Sequence, residues 1–395
     1  MVPPFLTRFG VYTAYMKAAR LMLSVALFCV PLLALPLYTH AQTQEQVQET
    51  DVLERARVLS AKNEGPALLP GTNVTSTTQH LTAQVIHGPD AGKTVSFDNN
   101  YTLLSPGQEF YIRHITSLSD GTDYWSVADP YRLNVLAYVA IAFLALLLAF
   151  GGLQGVRGLI SLIGSIAIIF YLLIPSIYAG HSPILVSIGI SSLIIILGSY
   201  ITHGVNRTTT SAMLGMLSTV LITGIATYVV IHAAHMSGFT SETNAYLNFN
   251  TNGRISMVGL LFGGIMIGLL GILYDIAIGQ AVAAEELYLA GNYTRSQVFR
   301  RTLRIGKEHI GALVNTLAIA YVGSALPLML LFKESDAGIG YIMNSELFAT
   351  EIIRILMGSI GLVLAVPITT LIAVYLLQHI HRPSGAHSHS HVPGS

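Results

Sequence analysis

The chain has 395 residues, 52% of them apolar and 10% charged, with a formal net charge of zero at neutral pH. Soluble domains carry about 25% charged residues, so most of this chain is kept from water, and nothing in its charge points to nucleic acid as a partner. Eleven of the twenty acidic residues lie between Glu45 and Asp129 with five basic residues among them, which marks one acidic, water-facing stretch.

At the N-terminus, Lys17 and Arg20 precede the apolar run LMLSVALFCVPLLALPLY at 21–38, and Thr39-His40-Ala41 offers small residues where a signal peptidase reads. About eighteen residues just reach across a bilayer, so residues 1–41 are either a cleaved export signal or an N-terminal anchor. Both readings put the next segment outside the cell. The single cysteine, Cys29, sits inside this run. No disulfide therefore staples the outer segment, and the preceding Ala26-Leu27-Phe28 lacks the small residue that lipoprotein cleavage needs.

Residues 42–131 alternate as strands do, at 52–61, 80–88, 93–99, 109–117 and 123–129. Turn clusters separate these runs at Gly88-Pro89-Asp90-Ala91-Gly92, Pro106-Gly107 and Ser119-Asp120-Gly121. The pattern predicts a small antiparallel barrel or sandwich held by its own core. The segment GPDAGKT at 88–94 has three residues between its glycines where a phosphate-binding loop has four, so it reads as a hairpin turn.

Seven apolar runs follow, at 134–151, 159–178, 183–201, 211–234, 258–280, 310–332 and 355–378. Each has about twenty residues, enough to cross about 30 Å of hydrocarbon. The predicted fold is an all-α membrane bundle of seven spans (132–380), preceded by a small extracytoplasmic β-rich domain and followed by a histidine-rich tail (381–395). Arg157, Arg207, the group Arg295, Arg300, Arg301, Arg304 and Lys307, and Arg382 fall in alternate loops. Positive charge stays inside, so these loops and both ends are predicted to be cytoplasmic. Thr294-Arg295-Ser296-Gln297 reads as a helix capping box. The helix it opens carries Val298, Phe299, Leu303 and Ile310 among arginines, which describes either a basic amphipathic surface helix or topogenic charge.

Asp275 stands in the fifth apolar run, with Glu286 eleven residues on and on the same face if the helix continues. Asn315 and Thr316 stand in the sixth. A carboxylate in hydrocarbon costs several kcal/mol and faces a partner, a cavity or a transported species; close to the inner headgroups it serves instead as a cheap polar cap. Gly259, Gly263, Gly264, Gly268 and Gly271 supply small-xxx-small spacings that bring helix backbones together. His232 and His235 are one turn apart near His181 and Glu242, and the tail holds His379, His381, His387, His389 and His391. Interfacial histidines and a polar tail account for both groups, and no metal or other cofactor is assigned. The chain lacks a His-Glu-x-x-His zinc helix and a Gly-x-Ser-x-Gly elbow, so no enzymatic activity is expected. The expected partners are the bilayer and either a second copy or another membrane protein.

The stretch at 263–332 resembles the YibE/F family of bacterial membrane proteins. The resemblance rests on Gly271 with Asp275, Glu286, Gly306-Lys307-Glu308-His309-Ile310-Gly311, Asn315-Thr316-Leu317 and Ala320-Tyr321. It extends more loosely over Asp129-Pro130-Tyr131-Arg132, residues 151–157 and the small domain ahead of them. It implies a multi-pass bacterial plasma-membrane protein with an extracytoplasmic N-terminal domain, and it brings no substrate or activity. A looser, fold-level similarity to SecF-like membrane domains of the proton-driven RND class rests on Asp275, the inner helix, Asn315-Thr316, Gly358-Ser359-Ile360-Gly361 and Pro367. The resulting expectation is a permease-like or export-accessory protein in which Asp275, Asn315, Thr316 and Glu286 relay an ion or proton. The contrasting expectation is a non-transporting scaffold whose acidic outer domain recruits a partner.

Overall fold

The computed structural model describes residues 49–68, 75–117 and 121–378; the export-signal run, Cys29 and the histidine-rich tail lie outside the described residues. The chain divides into two compact units, one ending at Phe150 and the other beginning at Gly151.

The first unit holds β1 (Glu49–Leu68), β2 (Thr75–His87), β3 (Thr94–Asn99), β4 (Glu109–Ser117) and β5 (Asp123–Pro130). These strands lie where the alternation predicts them, with β1 extending well beyond its predicted ends. The sheet is antiparallel in the order β3-β2-β1-β4-β5. β1 is long enough to serve both halves, pairing with β4 through Glu49–Arg57 and with β2 from Arg55 to Leu68. Register shifts at Arg55/Ala56, Val58/Ser60 and Asn63/Gly65 bend it, and β3 comes close to β5. The result is a partly open five-stranded barrel.

Inward-facing Ala56, Val58, Leu81, Ala83, Val85, Phe110 and Ile112 are at most 1% exposed, and Phe97, Trp125 and Val127 pack against them. The buried polar Gln79 is satisfied. Its amide donates to Asn63 Oδ1 (2.8 Å) and Leu104 O (3.1 Å), and its carbonyl accepts the Leu104 N–H (2.8 Å).

The 88–94 segment forms the β2–β3 turn as expected. Gly88 and Gly92 adopt φ of 128° and 95°, conformations that favour glycine. A Cβ on Gly88 would come within 2.7 Å of the Glu54 side chain, whose Oε1 accepts the Asp90 N–H at 3.0 Å. The turn is also tied to β4 and β5. His114 Nδ1 meets Asp90 Oδ2, and its Nε2 meets Asp123 Oδ1, each at 2.9 Å. The His114 ring stacks on Trp125 at 3.8 Å, and Lys93 lies over the other part of the cluster, 4.9 Å from the Trp125 ring.

The His114 hydrogen bond, helped by Thr116, holds the Asp123 carboxyl below its usual range. A carboxylate with a depressed folded-state pKa contributes stability that is present above its unfolded pKa and is lost as pH falls through the folded one. Asp123→Asn is therefore expected to lower barrel stability at neutral pH, with the gap to wild type closing as pH is taken down through the carboxylate range. Thermal melts followed by Trp125 fluorescence at several pH values measure this.

The helical elements are α1 (Leu133–Ile168), a π turn (Ile169–Leu173), α2 (Ile174–Tyr178), α3 (Pro183–His203), α4 (Arg207–Ala233), α5 (Glu242–Asn250), α6 (Met257–Ala290), α7 (Arg295–Ser324), α8 (Leu326–Lys333), α9 (Ile339–Asn344) and α10 (Glu346–Leu377). Among the described residues five elements are long and apolar enough to cross a membrane, or six if the bent pair α7–α8 counts as one crossing. This differs from the seven separate runs expected. Runs 134–151 and 159–178 belong to one element, Leu133–Tyr178, broken at Gly152 (φ 51°, ψ −143°). The residues between the runs include the helix formers Leu153, Gln154 and Arg157, so a glycine break replaces a loop.

The inner basic segment and the sixth run are likewise one helix, α7. The predicted capping box opens it, with Thr294 N donating to Gln297 Oε1 (2.8 Å) and Gln297 N to Thr294 Oγ1 (3.4 Å). After Ser324 the chain bends by 60° into α8. Pro327, in the first turn of α8, lacks an N–H to extend the α7 ladder. In this second unit α6 and α10 are central, packing against α4 and α7; Met216, Phe262, Leu269, Leu273 and Leu362 form the middle of the core.

Candidate relay surface on α6 and α7

α6 is a single 34-residue helix, so the continuation that would put Glu286 on the face of Asp275 is present. Its buried face runs through Phe262, Met266, Leu269, Leu273, Ala277, Gln280 and Ala284. Steps of three and four residues keep these on one side. The opposite stripe, Gly264, Gly268, Gly271, Asp275, Gly279, Val282 and Glu286, is exposed throughout. The local cause is plain: large apolar side chains claim the packed side, and glycines with two carboxylates are left on the other.

α7 runs antiparallel to α6. A Cβ on Gly268 would meet the Tyr321 hydroxyl at 2.8 Å, and one on Gly306 would meet Gln280 Nε2 at 2.7 Å. Interpolating between these two contacts puts Asp275 level with residues 311–313, about one helical turn from Asn315 and Thr316. All four predicted relay residues, Asp275, Glu286, Asn315 and Thr316, are exposed. Among the described residues no hydrogen bond or ion pair joins one of them to another. Thr316 spends its hydroxyl on the Ala312 carbonyl (2.9 Å), and among the described residues no hydrogen bond or ion pair reaches Asp275, Glu286 or Asn315.

The predicted packing glycines divide. Gly259 sits on Pro183 and Gly263 on Ser187, both on α3, and Gly268 on Tyr321. A Cβ added at Gly264 or Gly271 would meet nothing within 4 Å, so no helix of this chain approaches them closely. Further close helix crossings lie at glycines not predicted, with Gly215 on Thr369, Gly306 on Val366 and Gln280, Gly358 on Leu317, and Gly361 on Leu269 and Thr223. Spacing rules miss these because close approach depends on which partner helix lies opposite.

Polar pairs inside the bundle also escape a reading of the sequence. Gln280, 5% exposed, accepts the Thr370 hydroxyl at 2.9 Å. Gln154 donates to Thr202 O at 3.1 Å, and the Tyr274 ring lies 6.0 Å from His203. The amide of Gln280 inside the apolar run 258–280 is the signal that could have found the first of them. Glu346 clamps the loop after α4 by accepting from Ser237 Oγ and Gly238 N, each at 2.6 Å. His232 bonds the Tyr228 carbonyl at 2.8 Å, and among the described residues no group of three His, Cys, Asp or Glu is placed to hold a metal ion.

No curated protein and no solved structure matches the chain. The family described as YibE/F-like protein matches residues 139–379, which takes in α2 to α10 and most of α1, and so every residue of the α6–α7 surface. With its long apolar helices, the chain is a membrane protein that belongs to the YibE/F-like family.

Proposed function

We propose that this is a multi-pass permease or export-accessory protein of the bacterial plasma membrane, in which Asp275, with Asn315, Thr316 and Glu286, relays an ion or proton. One observation carries the reading: Asp275 is an exposed carboxylate on an apolar helix, about one helical turn from the level of Asn315 and Thr316, and no described residue pairs with it. A carboxylate is costly against lipid tails, so the face it occupies is one that meets water, an ion or a partner.

The topology we favour has seven crossings. Leu133–Tyr178, 46 residues with a break at Gly152, is about 69 Å long at helical rise, enough for two passes. α3, α4, α6, the bent pair α7–α8 and α10 supply the others. Positive charge inside then leaves residues 42–131 extracytoplasmic and the C-terminus cytoplasmic. In this reading the chain binds and conducts rather than carrying out covalent chemistry.

A second reading, a non-transporting scaffold, draws on the open glycines. A Cβ added at Gly264, Gly271 or Gly279 on the Asp275 stripe would meet nothing within 4 Å, which suits docking of another helix. Ion flux into proteoliposomes under an imposed pH or sodium gradient separates the two. The relay predicts flux in wild type that falls at least about tenfold in Asp275→Asn, since a neutral amide does not exchange the proton, with membrane-inserted protein undiminished. Equal flux in both proteins would sink the relay.

A further inference from the structure

The inner end of α7 carries five cations, Arg295, Arg300, Arg301, Arg304 and Lys307, within thirteen residues. One side of this segment is packed: Val298, Thr302 and Gly306 are buried, at the i, i+4, i+8 spacing of a single face. Two of the cations are engaged by aromatic rings, Arg295 over Tyr375 at 5.5 Å and Arg301 over Tyr293 at 4.4 Å. The other three, Arg300, Arg304 and Lys307, are exposed and, at i, i+4, i+7, form a stripe on one face of the helix.

Among the described residues no acid forms an ion pair with that stripe; the exposed Glu308, one turn beyond Arg304 on the same face, offsets one of its three charges. Among the described residues of the second unit the ion pair is Arg354–Glu351, at 2.7 Å near the start of α10, and none includes an α7 cation. The acids of the neighbouring α6 end, Glu285 and Glu286, form no ion pair with them either. Arg300 donates its Nε–H to the Ser296 carbonyl (3.4 Å), and among the described residues no hydrogen bond or ion pair engages its terminal guanidinium nitrogens. The same unbroken helix passes directly into the apolar stretch from Ile310 to Ser324, and Ile305, between the cations, is 41% exposed. Three exposed cations against the single acid Glu308 at the inner end of α7, with an exposed apolar side chain among them, match the headgroup level of a bilayer.

We infer that the Arg300–Arg304–Lys307 stripe is a docking surface for the phosphate headgroup of an anionic phospholipid. The guanidinium groups bind phosphate oxygens through charge-assisted hydrogen bonds, and lysine adds a point charge. Ile305 and the start of the apolar stretch contact the acyl chains, which is what separates a lipid from a free phosphate at this surface.

The test uses the purified full chain. Bound lipid is counted by native mass spectrometry during titration with dioleoyl phosphatidylglycerol or dioleoyl phosphatidylcholine, with glycerol 3-phosphate as the soluble phosphate arm. Wild type is expected to bind phosphatidylglycerol well above phosphatidylcholine, and glycerol 3-phosphate only weakly. Each basic residue near an anionic surface is worth about fivefold in binding, so Arg300→Gln/Arg304→Gln/Lys307→Gln is expected to lose on the order of a hundredfold. The double change Arg300→Lys/Arg304→Lys is expected to keep most of the affinity, which separates loss of charge from loss of fold. Lys62→Gln/Arg207→Gln/Lys333→Gln removes the same charge elsewhere and is expected to bind like wild type. Retained phosphatidylglycerol binding in the α7 triple variant, an equal loss in the charge-matched control, or glycerol 3-phosphate binding as tightly as the lipid would each overturn the inference.

Discussion

Phe110→Ala is expected to unfold the N-terminal barrel while the membrane helices stay folded. Phe110 is fully buried in β4, its ring 6.4 Å from Phe97 on β3, so it fills the middle of the barrel where the two sheet halves face each other. Truncating a buried phenylalanine costs about 3–5 kcal/mol through lost transfer free energy and the cavity left behind. At roughly 0.05–0.15 kcal/mol per residue, a domain of this size holds a total of the same order, and no disulfide is available among its residues to offset the loss. Trp125 is the chain's one tryptophan and packs against the same core, so intrinsic fluorescence reads the barrel alone. The expected result is a red-shifted Trp125 emission at room temperature with far-ultraviolet helical signal retained. A wild-type melt in the variant would mean that Phe110 does not anchor this core.

The second large effect is at the α4–α10 crossing. A Cβ on Gly215 would lie 2.9 Å from the Thr369 Cα, which is backbone and cannot swing aside, so the helices themselves would have to part. Overpacking of this kind costs about 1–3 kcal/mol for a small addition and more for a large one, and this crossing joins α4 to the central α10. Gly215→Leu is expected to abolish accumulation of folded protein, and Gly215→Ala to lower the thermal midpoint measured by circular dichroism in detergent. Gly264 is the matched opposite. Its Cβ position is open, so Gly264→Ala is expected to be neutral or to gain up to about 1 kcal/mol of helix propensity. Equal damage at both positions would show that Gly264 too is packed, against a second molecule.

Particular residues show why some features can be read in advance and others cannot. The strands are legible because alternation such as Phe110-x-Ile112 and Leu81-x-Ala83-x-Val85 is local, with a period of two, and the turn at 88–92 announces itself through glycines that must take positive φ. The capping box of α7 is legible for the same reason, since its bonds span three residues. The boundary between the first two apolar runs is not, because Gly152 breaks a helix without opening a loop, and hydropathy does not distinguish the two. The break at Pro327 is visible, whereas the union of the basic segment with the sixth run is hidden, because charge pattern does not say whether a helix stops at the membrane surface.

By itself the sequence determined the class of this protein: its apolar helices, the small acidic β-rich domain ahead of them, and the presence of Asp275, Glu286, Asn315 and Thr316 in apolar or basic surroundings. These follow from composition and short-range periodicity, which the chain carries wherever it folds. Only the tertiary structure decided which side of α6 is packed, and so that Asp275 shares an outward stripe with Gly264, Gly271 and Glu286 while Gln280 turns inward to Thr370. It also decided that Gly215, not Gly264, marks a close helix crossing. The physical reason is that a helix presents every residue on some face, and the neighbour that claims a face comes from a distant part of the chain.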